Sequence, residues 1–230
     1  MIIISFDIGV KNLAVCVLSI DESINVLVWK VISLAAEKEK IPIMNELTGR
    51  LFLALDELVT DIGEGVTIDY VILENQPSNL NGAMKSLQMM IYSYFQLRKH
   101  WEGLAKQVYL VSASEKLKGH DSAVATIDMA KYTDSIVAPN ADGSKKTSRQ
   151  KKSKNYQVNK KLSIEITKFY LRENPELLSL FCSYKKADDM GDTFLQAVSW
   201  LRKHGYTDIE TMTISNKIAE TGKTLEVTGA

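Results

Sequence analysis

The run Met1-Ile2-Ile3-Ile4-Ser5-Phe6, closed by Asp7, constrains this chain more than any other stretch. An almost unbroken apolar run of strand length has no polar face to offer water, so residues 2–6 read as a strand buried on both faces. Such a strand needs partner strands beside it and layers above and below. Ending it in a carboxylate, with Gly9 close behind, sets a charge where a core strand meets solvent. A carboxylate there is placed to bind a cation or to work on a phosphate. Partners from the rest of the chain have to decide between these jobs.

Residues 13–20 and 25–34 read as two further strands around the turn Asp21-Glu22-Ser23, which predicts an antiparallel three-strand meander. Residues 41–62 have helical spacing, with Leu47, Leu51, Leu55, Leu58 and Ile62 on one face and Gly63 and Gly65 ending it. Residues 68–73 form a fourth strand closed by Glu74, followed by a polar loop over residues 75–79. Residues 83–104 predict a long helix and residues 108–111 a short fifth strand. Helices are predicted again over 158–171 and 187–203. The order β-β-β-α-β-α-β followed by helices predicts an α/β fold with a mixed five-stranded sheet flanked by helices on both faces.

Composition matters chiefly through its distribution. The 230 residues are 45% hydrophobic, ample for one core with additions. Net charge is zero, from 28 basic and 28 acidic residues, so no global field draws the chain to nucleic acid or membrane. Yet Lys145, Lys146, Arg149, Lys151, Lys152, Lys154, Lys160 and Lys161 fall between Ser144 and Lys161 without one acid. That run is a local electrostatic footprint suited to a phosphate backbone. Residues 1–205 are expected to form the domain, with a basic, flexible insertion at about 119–156 centred on Pro139-Asn140-Ala141-Asp142-Gly143. Residues 206–230 remain an unassigned tail. Cys16 and Cys182 make neither a zinc site nor a disulfide framework, which points to a reducing, intracellular compartment. No apolar stretch approaches the roughly 20 residues that span a bilayer, and no leader is expected.

Four carboxylates stand in suggestive places. Asp7 and Glu74 end strands, and Asp189 and Asp192 lie three apart near the start of the last long helix, so they share a face of it. If the first and fourth strands are neighbours, both strand-end acids open on one edge of the sheet. A helix crossing that edge brings the other two to them. Such a cluster is costly without a cation, because close like charges repel. Hard oxygen ligands suit magnesium or manganese, and two such ions about 4 Å apart can activate water and stabilise a leaving oxygen in phosphodiester cleavage. Asp188 competes with Asp189 on spacing, since it lies four residues before Asp192; the buried side defined by Leu195, Val198 and Leu201 favours Asp189, with Asp188 as an outer residue or helix cap.

The blocks Phe6-Asp7-Ile8-Gly9-Val10-Lys11-Asn12, Leu73-Glu74-Asn75-Gln76-Pro77, Lys160-Lys161-Leu162-Ser163-Ile164-Glu165 and Lys186-Ala187-Asp188-Asp189-Met190-Gly191-Asp192-Thr193-Phe194 together resemble the poxvirus Holliday junction resolvases and, more distantly, the bacterial RuvC-type resolvases. The resemblance implies an RNase H-like fold, a homodimer, and magnesium-dependent paired nicking of four-way DNA junctions, with two Mg2+ ions per site and Mn2+ as a substitute. Asp7, Glu74, Asp189 and Asp192 fall on the family's metal-binding carboxylates. The family also uses an active-site lysine, and the matching block places it at Lys161 or, next, Lys160. Lys116 and Lys118, after the fifth strand, are fallback candidates. Lys11, Asn12, Gln76, Lys116, Lys118, Lys151, Lys152 and Lys154 are expected to contact DNA. A viral source would put the work at the site of viral DNA replication in the host cytoplasm. Some thirty extra residues before the lysine block and the tail after residue 205 depart from the family pattern.

Other features weigh less. Trp29, Trp101 and Trp200 are expected in the core or at a dimer surface, and Met84, Met89 and Met90 in the core. His100, His120 and His204 show no metal spacing and receive no role. Competing functions are an RNase H-fold nuclease for another branched DNA or an RNA–DNA hybrid, a non-catalytic junction-binding protein, and an actin-like or sugar-kinase-type ATPase fragment. The last needs a second domain with its own Gly-rich phosphate turn, which the chain does not display.

Overall fold

A computed structural model describes residues 1–36, 38–77, 82–128, 148–206, 209 and 211–218, with the backbone alone for 148–154. The doubly apolar first run forms β1 (Ile2–Asp7), which pairs antiparallel with β2 (Leu13–Ile20). The chain then turns into β3 (Ile24–Ile32), antiparallel to β2. After α1 (Met44–Ile62), β4 (Ile68–Glu74) returns on the other side of β1 and runs parallel to it. Helix α2 (Gly82–Glu102) leads to β5 (Ala105–Val111), parallel to β4. The sheet therefore reads β5-β4-β1-β2-β3, a mixed sheet as expected, with β1 at its centre as its two-sided burial requires.

A sixth strand, β6 (Ile214–Asn216), joins beside β3 in parallel. Sequence reading predicted five, because three residues in an unpatterned tail carry no detectable period. Two helices were likewise not anticipated: α3 (Asp121–Thr126) and, after α4 (Ser148–Leu171), α5 (Pro175–Ser183). The second of these had a readable start. Asn174 accepts a hydrogen bond from the Leu177 N–H at 2.9 Å, and Pro175 follows it in the first turn. Helix α4 begins ten residues before the expected start at 158. No glycine or proline interrupts the stretch, and its Lys, Arg and Gln are good helix formers, so the basic run continues the helix. Residues 129–147 of the expected insertion lie outside the described residues. The last helix, α6 (Ala187–Lys203), has the expected bounds.

Strand alternation divides the core into two layers. Ile4 and Phe6 of β1 face α1 and α2, packing with Val71, Leu73, Leu51, Leu55, Leu87 and Phe95. Ile3 faces the other way, toward α4, α5 and α6, with Cys16, Trp29, Ile72, Phe181 and Phe194. Trp29 stacks on Phe181 with centroids 5.3 Å apart, and its indole N–H donates to the Met190 carbonyl at 3.1 Å. Trp200 is also buried, but Trp101 at the end of α2 is 80% exposed, and Met89 near its start, expected in the core, is exposed too. No described helix is long and apolar enough to cross a membrane.

Candidate active site

Register places the strand-end acids together. Phe6 of β1 is opposite Leu73 of β4 in the parallel pair, so Asp7 and Glu74 follow side by side as both strands end. Ser5 and Asp7 alternate with the residues facing α1 and α2, so Asp7 points to the α6 side, as does Glu74, two residues after Ile72. The chain must leave β1 without crossing this edge, and Gly9 permits it. A Cβ on Gly9 would stand 2.6 Å from the Asn12 carbonyl oxygen, so the turn closes too tightly for any side chain.

Helix α6 supplies the second pair. It is fastened across β1 by Gln196, whose amide donates to Ser5 Oγ at 3.0 Å and to the Phe6 carbonyl at 3.1 Å. Its N-terminal turns bring Asp189 and Asp192 over the strand ends, and both act electrostatically on Asp7. Helix α4 crosses α6 closely at Gly191, where an added Cβ would meet Thr167 Oγ1 at 2.9 Å and Ser163 Oγ at 3.1 Å. The close crossing lets Ser163 donate to Asp192 Oδ1 at 2.6 Å. Ser163 was not singled out from sequence, though it lies inside the lysine block, two residues after Lys161.

The lysine in this cluster is Lys116, from the segment between β5 and α3. Its ammonium pairs with Glu74 Oε2 at 3.0 Å and with Asp192 Oδ2. Lys160 pairs instead with Asp188 at the rim, with its ammonium over the Tyr156 ring. Lys161 is exposed. The helical period explains the difference, since Lys160, Ser163 and Thr167 share the α4 face toward α6 and Lys161 is turned about 100° further round. Of the lysines ranked from sequence, Lys161 first, Lys160 second and Lys116 as fallback, only Lys116 lies among the acids of the cluster.

Burial pushes the Asp7 carboxyl well above the usual aspartate range; Lys116 opposes this, while Glu74, Asp192 and Asp189 add to it. Asp189 is raised too, first by burial and then by Asp188. Burial alone would lower the Lys116 ammonium, but Asp192, Asp7 and Glu74 outweigh it and hold the amine above the ordinary lysine value. Burial also works against ionisation of Asp188, yet Lys160 keeps it below the usual range. Asp188 is thus neutralised by its own partner.

Among the described residues, no group of three or more His, Cys, Asp or Glu side chains is drawn close enough to enclose a metal ion. The donor chemistry nonetheless fits a hard divalent cation. Asp7, Glu74, Asp189 and Asp192 offer only carboxylate oxygens, and one ammonium leaves their formal charge uncompensated.

The residues expected to touch DNA are dispersed. Lys11 donates to the Glu39 carbonyl at 2.9 Å, and Asn12 closes the turn over Gly9. Gln76 is buried: its backbone N–H donates to Gln88 Oε1 at 2.7 Å and its amide to Glu74 Oε1 at 3.3 Å, so it braces an acid instead of facing outward. Lys118 is exposed and paired with Glu115 at 2.6 Å. Lys151, Lys152 and Lys154 lie on the first turns of α4, with side chains outside the described residues.

Comparison with known proteins finds partial similarities. Residues 1–100 match the family model described as Poxvirus A22 protein. A curated protein of Acanthamoeba polyphaga mimivirus is 30% identical over 138 residues, 58% of this chain but only 29% of the relative, so the chain spans less than a third of that relative's length. Among solved structures, the fowlpox virus resolvase in complex with Holliday junction DNA is similar at TM-score 0.49 and 17% identity, covering 89% of this chain and 99% of that one. The yeast mitochondrial Holliday junction resolvase gives TM-score 0.47 at 20% identity, covering 91% and 85%. The RuvC of T. thermophilus with its junction substrate gives 0.48 at 12%, covering 89% and 97%.

Proposed function

We propose that this chain, similar over residues 1–100 to the Poxvirus A22 protein family, is an endonuclease that resolves Holliday junctions by hydrolysing phosphodiester bonds. The observation that carries the reading is the convergence of Asp7, Glu74 and Asp192 around the half-buried Lys116 ammonium at the end of the central strands, with Asp189 acting on Asp7 beside them. The ordered resemblance of the four sequence blocks to the poxvirus resolvases supports the junction as substrate.

In this reading the four carboxylates would hold magnesium, which when bound would supply Lewis acidity and lower the pKa of water so that hydroxide is available near neutral pH. Water adds across one P–O bond, which leaves one phosphate end and one hydroxyl end. Ser163 and Gln76 orient the oxygens of Asp192 and Glu74. Lys116, paired with those two acids in the free protein, opposes negative charge that builds on the phosphate. Lys118 and the basic first turns of α4 hold the backbone without reading sequence, as a shape-selective enzyme requires. Two symmetric nicks need two sites, so the working species is a homodimer.

The test is a panel of labelled four-way junction, duplex, flap and RNA–DNA hybrid, incubated with the protein and magnesium and resolved on gels. Paired cuts in the junction, ahead of all other substrates, are expected. Preference for the hybrid or for plain duplex would sink the resolvase reading.

A further inference from the structure

The site's lysine reaches its acids from a segment of irregular backbone, and a long side chain on such a segment is only as well placed as the backbone beneath it. Residues 112–120 connect β5 to α3, with turn hydrogen bonds from Glu115 N–H to the Ser112 carbonyl at 2.9 Å and from Lys118 N–H to the Glu115 carbonyl at 3.0 Å. What ties this segment to the core is His120, a residue with no role in the sequence reading. It is 1% exposed. Its Nε2 lies 3.0 Å from the Lys116 carbonyl oxygen and 2.9 Å from Ser199 Oγ on α6. Its Nδ1 lies 2.9 Å from the Tyr170 hydroxyl on α4, against whose ring it stands edge-on. Ser199 Oγ in turn donates toward the Lys116 carbonyl at 3.2 Å and the Lys118 carbonyl at 3.1 Å. A neutral ring with its proton on Nε2 suits both sides, donating to the Lys116 carbonyl and accepting from Tyr170.

We propose that His120 is a positioning residue of the site: by holding the Lys116 backbone to α4 and α6, it sets where the Lys116 ammonium stands between Glu74 and Asp192. The two helices it joins are those that carry Ser163, Asp189 and Asp192, so one clamp references the lysine to the same frame as the acids it meets. A buried imidazole needed only for packing could be exchanged for a phenyl ring. A clamp needs a donor at the Nε2 position. The proposal rests on the reading of the acid cluster as the cleavage site.

Two variants separate these roles. His120→Phe keeps a ring without a donor, and His120→Gln places an amide N–H near the position of Nε2–H. Two measurements are made on each: single-turnover cleavage of a four-way junction at saturating protein, and the rate at which an acetylating reagent labels Lys116 in DNA-free, metal-free protein, read by peptide mass spectrometry. His120→Phe is expected to slow cleavage by roughly 10–100-fold, the scale of a small misplacement of a reacting group, with junction affinity unchanged. It is also expected to label faster at Lys116, whereas His120→Gln stays near wild type in both. Unchanged labelling or unchanged cleavage in folded His120→Phe overturns the proposal, as does a His120→Gln as impaired as the phenylalanine variant. Should His120→Phe not fold, Ser199→Ala carries the same test, with faster Lys116 labelling expected and unchanged labelling overturning it. If wild-type protein cuts no junction, the functional reading fails, while labelling still decides the clamp.

Discussion

Asp7 is held above the usual aspartate range by its burial and its acidic neighbours. Its folded-state pKa lies above its unfolded value of about 3.9, so the folded chain binds this proton more tightly than the unfolded chain does. The ionised group therefore destabilises the metal-free fold, and the penalty grows as pH rises from about 4 through the raised pKa. Asp7→Asn should raise the melting temperature of metal-free protein at neutral pH, by roughly 2–4 °C for each kcal/mol relieved, and the gain should shrink toward pH 4. The same variant should lose at least about 100-fold in junction cleavage while still binding junctions, as gel-shift and single-turnover assays would show. A variant that is both stabilised and active would contradict the proposed role. Lys116→Ala should act with the opposite sign, since it strands buried acids, and cost roughly 3 kcal/mol in metal-free denaturant unfolding. Lys161→Ala, at an exposed position, should leave the single-turnover rate at saturating protein within about twofold. A large loss there would return the lysine role to the sequence ranking.

Between elements, the decisive contact is the crossing of α4 over α6. Glycine inside a helix ordinarily costs about 1 kcal/mol against alanine, so Gly→Ala at an open helical position stabilises. Gly191 is not open, because its Cβ position is filled by Thr167 Oγ1 and Ser163 Oγ. Gly191→Ala should instead destabilise by about 1–2 kcal/mol and weaken cleavage by displacing Ser163 from Asp192. Combined with Thr167→Ala, which opens space, it should cost less than the sum of the two changes in thermal melts. A stabilised Gly191→Ala would show that the helices part freely. Much of this level was legible beforehand. The five main strands announce themselves as apolar runs of strand length and the four long helices through a period near 3.6, and Glu74 and Asp7 end their strands as read. The short α5 and β6 escaped because few residues carry little periodicity.

For the whole molecule, the proposed cation links elements distant in sequence: β1, β4 and α6. A ligand bound only by the folded chain stabilises it by mass action, about 1.4 kcal/mol at ten times its dissociation constant. Magnesium or manganese added to metal-free protein should therefore raise the melting temperature in a saturable way, and Asp7→Asn should abolish the shift. An equal shift in that variant would place the ion elsewhere.

The sequence by itself determined the five main strands, their succession along the chain, and the positions of four acids, two ending strands and two heading a helix, because each is written in local spacing. Only the tertiary structure decided which lysine meets those acids. Lys160 and Lys161 lie in a recognisable block, yet helical rotation sends one to Asp188 and the other to solvent. Lys116 lies in a segment without pattern, and its backbone is held by His120 four residues on, which in turn meets Tyr170 on α4 and Ser199 on α6, both distant in the chain. Periodicity reports which face of an element is buried. It does not report where an irregular segment is tied down, because that depends on contacts between residues far apart in the chain.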